Sequence, residues 1–169
     1  SAEEEVARNF ICFGAPDAVA VVCDATCLER NMNLVLQTLE ISSNVIVCVN
    51  LMDEARRKKI NIDLKQLEER LGVPVIGVTA RKKKSLKRLL DALDLTCEQK
   101  TANTPYIMRY SPEIESAIAL VEPEVKRLSQ GKINSRWLSL KLLDGDSSLI
   151  KEICACLGDN FLKNPALFA

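Results

Sequence analysis

The sequence predicts an α/β fold built around a parallel sheet, with a purely helical region after it. Three continuous apolar runs, rich in β-branched residues, have the character of strands buried on both faces: 18–23, 45–49 and 74–78. Amphipathic segments with apolar residues at three- and four-residue intervals lie between and after these runs. Strands that alternate with helices in this way form parallel sheets through right-handed crossovers. From about residue 105 onward no strand pattern occurs.

Helices are predicted in both parts of the chain. In the first part they cover 1–13, 28–40, 54–59, 64–71 and 85–95. Asp63 and Gly72 mark the start and the stop of the fourth, because Asp is a favoured N-cap residue and Gly a favoured C-cap residue. In the second part they cover about 112–129, 135–143 and 147–157. A polar stretch without periodicity separates the two parts, so we expect two domains, at 1–98 and 104–169.

Composition excludes several classes of function. Among 169 residues, 23 Lys and Arg balance 23 Asp and Glu, so the positive charge typical of nucleic-acid-binding proteins is absent. Aromatic residues make up 4% of the chain, which leaves little material for base stacking. We therefore expect no nucleic-acid partner. No apolar run approaches the roughly 20 residues that span a bilayer, and the acidic first residues do not resemble a signal peptide.

Seven cysteines and the lack of histidine argue against catalysis or metal binding by these side chains. The chain contains no Cys-x-x-Cys pair, and the spacings Cys23/Cys27 and Cys154/Cys156 suit zinc poorly. We expect reduced thiols that behave as small hydrophobic residues. Without histidine, a Ser-His or Cys-His nucleophile is excluded, so we expect no catalytic residue and no metal ligand. Three carboxylates at a strand end and a turn are given structural roles: Asp24, Asp144 and Asp146.

The candidate functional site follows the strand at 45–49. Asn50 ends this apolar run and Asp53 comes three residues later, at the point where parallel strands of open α/β sheets present ligand-binding side chains. Guanine presents its N1–H and its exocyclic amine side by side, so one ionised carboxylate can accept both hydrogen bonds. Adenine lacks this donor pair and would leave the Asp unsatisfied at a cost of roughly 1–3 kcal/mol. Asn50 and Asp53 therefore predict recognition of guanine, with helix capping as the alternative interpretation.

Several stretches resemble known motifs. Asn50-Leu51-Met52-Asp53 and the strand that ends in Thr79-Ala80-Arg81 are spaced like the two base-recognition motifs of small GTPases. The stretch 22–31, Val-Cys-Asp-Ala-Thr-Cys-Leu-Glu-Arg-Asn, resembles the ferrous iron transport protein B (FeoB) family, as do 50–55 and 71–75. The resemblance is close over residues 1 to about 95. The helical stretch from Tyr110 onward is similar to the family's small helical domain in its arrangement.

The resemblance implies the C-terminal part of a P-loop-type GTPase domain followed by that helical domain. The intact protein would bind GTP or GDP with Mg²⁺, hydrolyse GTP slowly and regulate ferrous-iron passage through its own C-terminal transmembrane domain. It would therefore work at the cytoplasmic face of a bacterial inner membrane. In such a domain the backbone N–H of Ala80 would donate to guanine O6. The implied guanine-base site consists of Asn50, Leu51, Met52, Asp53, Thr79, Ala80 and Arg81.

Two departures from the small-GTPase pattern matter. No Gly-x-x-x-x-Gly-Lys-Ser/Thr phosphate loop and no Asp-x-x-Gly occur, and the glycine spacing at 72–79 carries Val78 where Lys is needed. The resemblance implies that the phosphate-binding half precedes Ser1, so we expect this chain alone to be inactive as a GTPase and to hold no tightly bound nucleotide. Leu51 replaces the Lys usual in small GTPases. An apolar residue here is typical of the FeoB family and suggests modest nucleotide affinity.

Two alternative functions remain open from the residues themselves. The basic runs 56–59 and 81–84 would suit an RNA- or membrane-associated module, although a solvated surface is the simpler explanation. A non-enzymatic interaction domain would need Asn50 and Asp53 only as helix caps. We also expect the strands at 18–23 and 45–49 to lack neighbours on one side, which favours self-association through an exposed strand edge.

Overall fold

The computed structural model describes residues 2–98, 104–145 and 147–158, which divide into two compact units. One unit is Pro16–Ile107, and the other joins the chain before Pro16 to the chain after Ile107. The elements in chain order are α1 (Ala2–Phe13), β1 (Val19–Asp24), α2 (Leu28–Ile41), β2 (Val45–Asn50), α3 (Met52–Arg57), α4 (Leu64–Leu71), β3 (Val75–Gly77), α5 (Lys83–Cys97), α6 (Pro112–Ser129), α7 (Ser135–Asp144) and α8 (Ser147–Leu157). None of the described helices is both long enough and apolar enough to cross a lipid bilayer.

The first unit is organised by a parallel three-stranded sheet in the order β1-β2-β3. Val19 of β1 pairs with Val45 of β2, and Val47 of β2 pairs with Val75 of β3. All three strands point the same way, so their carboxyl ends lie at one edge of the sheet. The strands end there at Asp24, Asn50 and Gly77. The predicted fold class, a parallel sheet with flanking helices followed by a helical region, is confirmed.

The two faces of the sheet are covered unequally. One face forms the main hydrophobic core with α2 and α4, through Val21, Cys23, Val45, Val47, Val49 and Val75 of the strands and Val35, Leu39 and Leu71 of the helices. On the other face α5 packs against β2 and β3, and Ile46 and Cys48 are buried there. Ala20 and Val22 of β1 lie on this second face and are exposed, Val22 by 60%.

The prediction that the first strand is buried on both faces is therefore wrong, and the expectation that it lacks neighbours on one side holds. For the strand at 45–49 the outcome is the reverse: β2 is paired on both sides and buried along its length, so the expectation of missing neighbours is wrong there. The apolar run at 18–23 has the same character as the run at 45–49, but β1 pairs only with β2 among the described residues and lies at the edge of the sheet. An apolar sequence shows that a strand tolerates burial. It does not show how many neighbours the strand has.

The structure confirms the predicted caps at both ends of α4. The carboxylate of Asp63 accepts a hydrogen bond from the Gln66 N–H at 2.9 Å. Gly72 has φ of 67°, a left-handed conformation that glycine adopts without strain. A Cβ at this position would overlap the carbonyl oxygen of Thr104, because the Thr104 N–H donates to the Gly72 carbonyl at 3.1 Å. Glycine is required here both by conformation and by space.

The helical unit has its own core and an ion pair that joins two of its helices. Its buried side chains are Ile118, Val125, Trp137, Leu138, Leu149 and Ile153. The guanidinium of Arg136 on α7 forms two hydrogen bonds with the carboxylate of Glu115 on α6, at 2.7 and 2.9 Å. Arg136 also donates to the Met108 carbonyl at 3.0 Å, and Glu115 accepts from the Tyr110 N–H at 2.9 Å. The pair therefore ties α6, α7 and the segment that leads into α6 together.

Candidate functional site at the carboxyl end of the sheet

The predicted site residues converge where β2 and β3 end. The side-chain oxygen of Asn50, the last residue of β2, accepts a hydrogen bond from the Ala80 N–H at 3.3 Å. The backbone supports the same approach, because the Val78 N–H donates to the Val49 carbonyl at 2.7 Å and the Met52 N–H to the Val78 carbonyl at 3.2 Å. Two segments that are 30 residues apart in sequence thus form one surface at the ligand-binding edge of a parallel sheet.

Leu51 makes the turn between β2 and α3. Its backbone has φ of 60° and ψ of 31°, the left-handed region that costs a non-glycine residue about 1–2 kcal/mol. This conformation ends the extended strand in one residue and lets α3 begin at Met52. Strained backbone of this kind persists where the surrounding structure holds it, and it is concentrated at functional sites.

Asp53 lies in the first turn of α3 and is half-buried. Its carboxylate forms no hydrogen bond and no ion pair with any residue that the structure describes. The N-cap position belongs to Leu51, which makes no side-chain capping bond, and the amide of Asn50 is directed to Ala80 instead. Neither Asn50 nor Asp53 caps α3, so the alternative interpretation as helix caps fails on geometry.

The loop 79–82 is held by Ser85, which the sequence pattern does not single out. The hydroxyl of Ser85 accepts from the Thr79 N–H at 3.2 Å, and it lies 2.8 Å from the carbonyl oxygens of both Thr79 and Lys82, which share its single O–H donor. Ser85 is inconspicuous in the sequence because it is embedded in a run of basic residues. The available signal was a hydroxyl residue three positions into a helix that follows a loop, where such side chains commonly bond to the backbone.

Arg81 connects this loop to α3 electrostatically. Its side chain is 78% exposed, and its guanidinium lies 3.9 Å from the Glu54 carboxylate. Arg57 lies 3.2 Å from the same carboxylate oxygen. Exposed pairs of this kind contribute little to stability. They do show that the positive side chains of two separate segments border the predicted site.

Asp24, at the end of β1, has the structural role expected for it. Its carboxylate accepts a hydrogen bond from the Thr26 N–H at 2.7 Å, and this bond is the main reason that the pKa of Asp24 is lowered. The Asp24 N–H in turn donates to the Asn31 side chain at 2.8 Å. Asp24 therefore shapes the turn that leads into α2. Asp146, the third carboxylate given a structural role, lies outside the described residues.

The described cysteines are mostly buried, as expected for thiols that act as small hydrophobic residues. The described thiols are all free: Cys12, Cys23, Cys27, Cys48, Cys97 and Cys154. Burial raises the pKa of Cys12 to about 12 and that of Cys23 to about 11, which keeps these thiols protonated and unreactive at neutral pH. Within the residues that the structure describes, no group of three or more Cys, Asp or Glu could hold a metal ion. The side chain of Cys156 is not among those described.

The fold and the site define a class. A parallel α/β sheet whose two neighbouring strands end in Asn-x-x-Asp and Thr-Ala-Arg, followed by a helical domain, is the arrangement of a partial G-domain with an appended helical module. The family model described as ferrous iron transport protein B matches residues 1–93, and the model of the FeoB cytosolic helical domain matches residues 110–162. The chain belongs to the ferrous iron transport protein B family.

Individual relatives agree with this assignment. The Fe(2+) transporter FeoB of Escherichia coli K12 is 33% identical over 149 residues, which are 86% of this chain and 18% of that protein. The FeoB transporter of Salmonella typhimurium LT2 is 32% identical over 148 residues. The chain thus spans about a fifth of the length of the curated relatives that it matches.

Solved structures show the same fold. The cytosolic domain of T. maritima FeoB in its apo form superposes with a TM-score of 0.78 at 30% identity. The match covers 90% of this chain and 59% of that one. The GMPPNP form of the same domain gives 0.75 at 28% identity, with 90% and 59% coverage. The FeoB G-domain from Methanococcus jannaschii gives 0.56 at 39% identity, with 58% and 63% coverage.

Proposed function

We propose that this chain is the base-recognising part of a guanine-nucleotide-binding domain, in a protein that transports ferrous iron. The observation that carries the proposal is the hydrogen bond between Asn50 and Ala80, because it joins the two predicted base-recognition segments into one site. The solved relatives described as GDP and GMPPNP forms support a guanine nucleotide as the ligand. The domain boundaries at 1–98 and 104–169 are proposed with it, and the matched ranges 1–93 and 110–162 support them, although the chain before Pro16 groups with the helical unit in the structure.

Asp53 supplies the specificity in this proposal. Its carboxylate is half-buried and has no partner among the described residues, so it is available to accept from the guanine N1–H and the exocyclic amine together. Because a carboxylate only accepts, adenine would offer it a single amine and an acceptor nitrogen. The resulting loss of hydrogen bonds to a charged group corresponds to roughly 1.5–3 kcal/mol per bond.

Ala80 and its neighbours position the other edge of the base. The Ala80 N–H is directed to the Asn50 amide oxygen at 3.3 Å, which is longer than the usual 2.9–3.0 Å for such bonds. A bond of this length is weak enough for the N–H to turn toward guanine O6, while Ser85 continues to hold the Thr79 backbone. Leu51, Met52 and Arg81 complete the proposed site, with the Leu51 side chain beside the nucleotide.

We propose the activity of the whole protein on the basis of its family. It includes GTP hydrolysis assisted by Mg²⁺, regulation of ferrous-iron passage through a transmembrane domain of the same protein, and a location at the cytoplasmic face of a bacterial inner membrane. Hydrolysis is not proposed for residues 1–169 alone, because phosphoryl transfer depends on a phosphate loop and its Lys, which this sequence lacks.

Self-association through β1 is proposed as well. β1 is an edge strand of the described sheet, and its exposed Ala20 and Val22 add an apolar face to the free edge. Unprotected edges of this kind pair readily with other strands. Pairing of the same edge from two copies would be antiparallel, since a two-fold axis reverses the strand direction.

The proposed function is tested in a chimera, where the residues that precede the matched segment in the Escherichia coli relative are joined ahead of Ser1. Competition against a fluorescent GDP analogue should show GDP displacing the probe at least tenfold better than ADP. Equal displacement by GDP and ADP would contradict the proposed base site.

A further inference from the structure

The charges of this chain are segregated although their sum is zero. Ten of its 23 Lys and Arg residues lie in two short segments, 56–59 and 81–88, and neither segment contains an acidic residue. All ten side chains are exposed. The balanced composition therefore conceals a strongly basic surface and a correspondingly acidic remainder.

The fold brings the two segments to one place. Glu54, at the start of α3, lies 3.2 Å from Arg57 of the first segment and 3.9 Å from Arg81 of the second. α3 is six residues long, about 9 Å, so the basic residues at its end remain close to this contact. We refer to residues 56–59 and 81–88 together as the basic face. One carboxylate, Glu54, cannot neutralise ten cations.

Apolar side chains accompany these charges. Leu90 of α5 is 59% exposed and lies three residues after Lys87 and four after Leu86, which is 37% exposed, so the three share one side of the helix. Ile60, directly after the first basic segment, is 38% exposed. Lys83, Lys84 and Lys87 form no ion pair with any described residue. Exposed leucines beside unpaired lysines on one helix are typical of segments that lie on anionic membranes.

We propose that the basic face is a docking surface for an anionic phospholipid bilayer. Lysines contact the headgroups of such a bilayer while their aliphatic stems, together with Leu86 and Leu90, insert at the interface. A polynucleotide is disfavoured because the whole stretch 54–90 contains no aromatic residue on which a base could stack. The basic face shares Arg81 with the proposed guanine site, but the inference does not rest on that site, since the variants that test it leave Arg81 and Asp53 unchanged.

The test uses the full chain and vesicles of two compositions, phosphatidylcholine alone and phosphatidylcholine mixed with phosphatidylglycerol. Co-sedimentation should show binding to the mixed vesicles only. Binding should be lost when salt is raised from about 0.1 M to about 1 M, because the screening length falls from about 10 Å to about 3 Å. Equal binding to both kinds of vesicle, or binding to neither, would overturn the proposal.

Matched variants test whether the basic face is the part of the chain that binds the vesicles. The triple variant Lys83→Gln, Lys84→Gln, Lys87→Gln removes three exposed charges from α5 and should weaken binding at least tenfold. The control Lys126→Gln, Lys132→Gln, Lys151→Gln makes the same charge change at exposed positions in the helical unit, and it should bind as the parent does. If the two triple variants lose binding equally, the effect is one of net charge and the basic face is not the docking surface.

A single variant separates a bilayer from a soluble polyanion. Leu90→Asn keeps every charge and alters an exposed side chain, so it should fold normally, bind vesicles severalfold more weakly and bind heparin unchanged. If Leu90→Asn has no effect on vesicle binding, or if a single-stranded RNA of equal charge displaces the chain from the vesicles at equimolar charge, the bilayer assignment is wrong.

Discussion

The side-chain oxygen of Asn50 accepts a hydrogen bond from the backbone N–H of Ala80, so the last residue of β2 sets the position of the loop after β3. Strand pairing alone places these segments at the same edge of the sheet. The side-chain bond adds a specific distance between them. The two segments are therefore held in place relative to each other before a ligand binds. A ligand that contacts both segments loses less affinity to the entropy cost of ordering them.

The first prediction concerns base selectivity in the chimera. Asp53→Asn keeps the shape of the side chain but places a donor opposite the guanine exocyclic amine, so GTP affinity should fall at least tenfold. Xanthine carries an oxygen in place of that amine and can accept from the new amide, so XTP affinity should rise. Thermal stability should be unchanged, because the Asp53 carboxylate has no partner among the described residues to lose. Titrations with both nucleotides measure the switch.

Asn50→Ala provides the contrast to this switch. It removes the bond to Ala80 and should weaken GTP binding without any gain for XTP, since it changes the position of the loop and not the group that contacts the amine. Asn61→Ala removes an exposed amide elsewhere in the same unit and should leave both affinities as they were. An unchanged preference for GTP over XTP in Asp53→Asn would exclude Asp53 as the specificity residue.

The second prediction concerns the support of the loop. Ser85→Ala removes the hydroxyl that bonds to both backbone groups of Thr79, and it should destabilise the chain by about 1–2 kcal/mol in urea unfolding. Amide hydrogen exchange at Thr79 should become faster because its N–H loses its acceptor. Ser43→Ala, at an exposed position, is the matched control and should change neither quantity. Exchange at Thr79 as slow as in the parent would show that the hydroxyl does not hold the loop.

The third prediction concerns acid stability of the helical unit. The hydrogen-bonded guanidinium of Arg136 lowers the pKa of Glu115 from 4.5 to about 2. A carboxyl group with a lowered folded-state pKa stabilises the protein above its unfolded pKa, and this stabilisation is lost as pH falls through the folded pKa. The contribution should therefore be complete above about pH 4.5 and disappear toward pH 2.

Urea midpoints measured across that pH range, followed by a probe at Trp137, give the test. Glu115→Gln cannot ionise, so its midpoint should lie below that of the parent at neutral pH and approach it toward pH 2. The control Asp144→Asn removes an exposed carboxylate from the same helical unit, and its midpoint should follow that of the parent across the pH range. A constant difference between Glu115→Gln and the parent at every pH would show that the ion pair has no linked titration.

The fourth prediction concerns the open edge of the sheet. Val22→Lys places a charge on the exposed face of β1, and charges on edge strands oppose pairing with another strand. Sedimentation equilibrium should show the parent chain associating as its concentration is raised and the variant remaining monomeric. Val6→Lys alters a side chain of similar exposure, 69%, outside β1 and should associate like the parent. A parent that stays monomeric at high concentration contradicts self-association.

The order of helices and strands was predictable because it depends on local pattern. The apolar runs, the Asp63 and Gly72 caps and Pro112 at the start of α6 are each visible within a few residues of sequence. The neighbours of each strand are not visible in this local pattern, because the apolar runs of β1 and β2 look alike although β1 is an edge strand and β2 is central. The parallel pairing of β2 and β3 brings Asn50 close to Ala80. Which atoms form the bond between them can be seen only in the folded structure.

The residues of the proposed site can be selected from the sequence, whereas the side chain that supports its loop cannot. Asn50 and Asp53 stand out because polar groups directly after an apolar run are unusual. Ser85 does not stand out, since its role comes from a backbone that bends back on it only after the loop has formed. The clustering of the basic face was also hidden, because segments 56–59 and 81–88 approach each other only through the pairing of β2 with β3.

The conformation of Leu51 has a consequence for how this sequence has been selected. At φ of 60°, replacement of Leu51 by Gly or Asn would relieve backbone strain. Selection for stability alone would therefore favour Gly or Asn over Leu at this position. The proposed contact between the Leu51 side chain and the nucleotide supplies a reason for leucine here that backbone stability does not. Random mutagenesis followed by selection for heat resistance should therefore enrich glycine at position 51, whereas selection for retained nucleotide binding should keep an apolar side chain there.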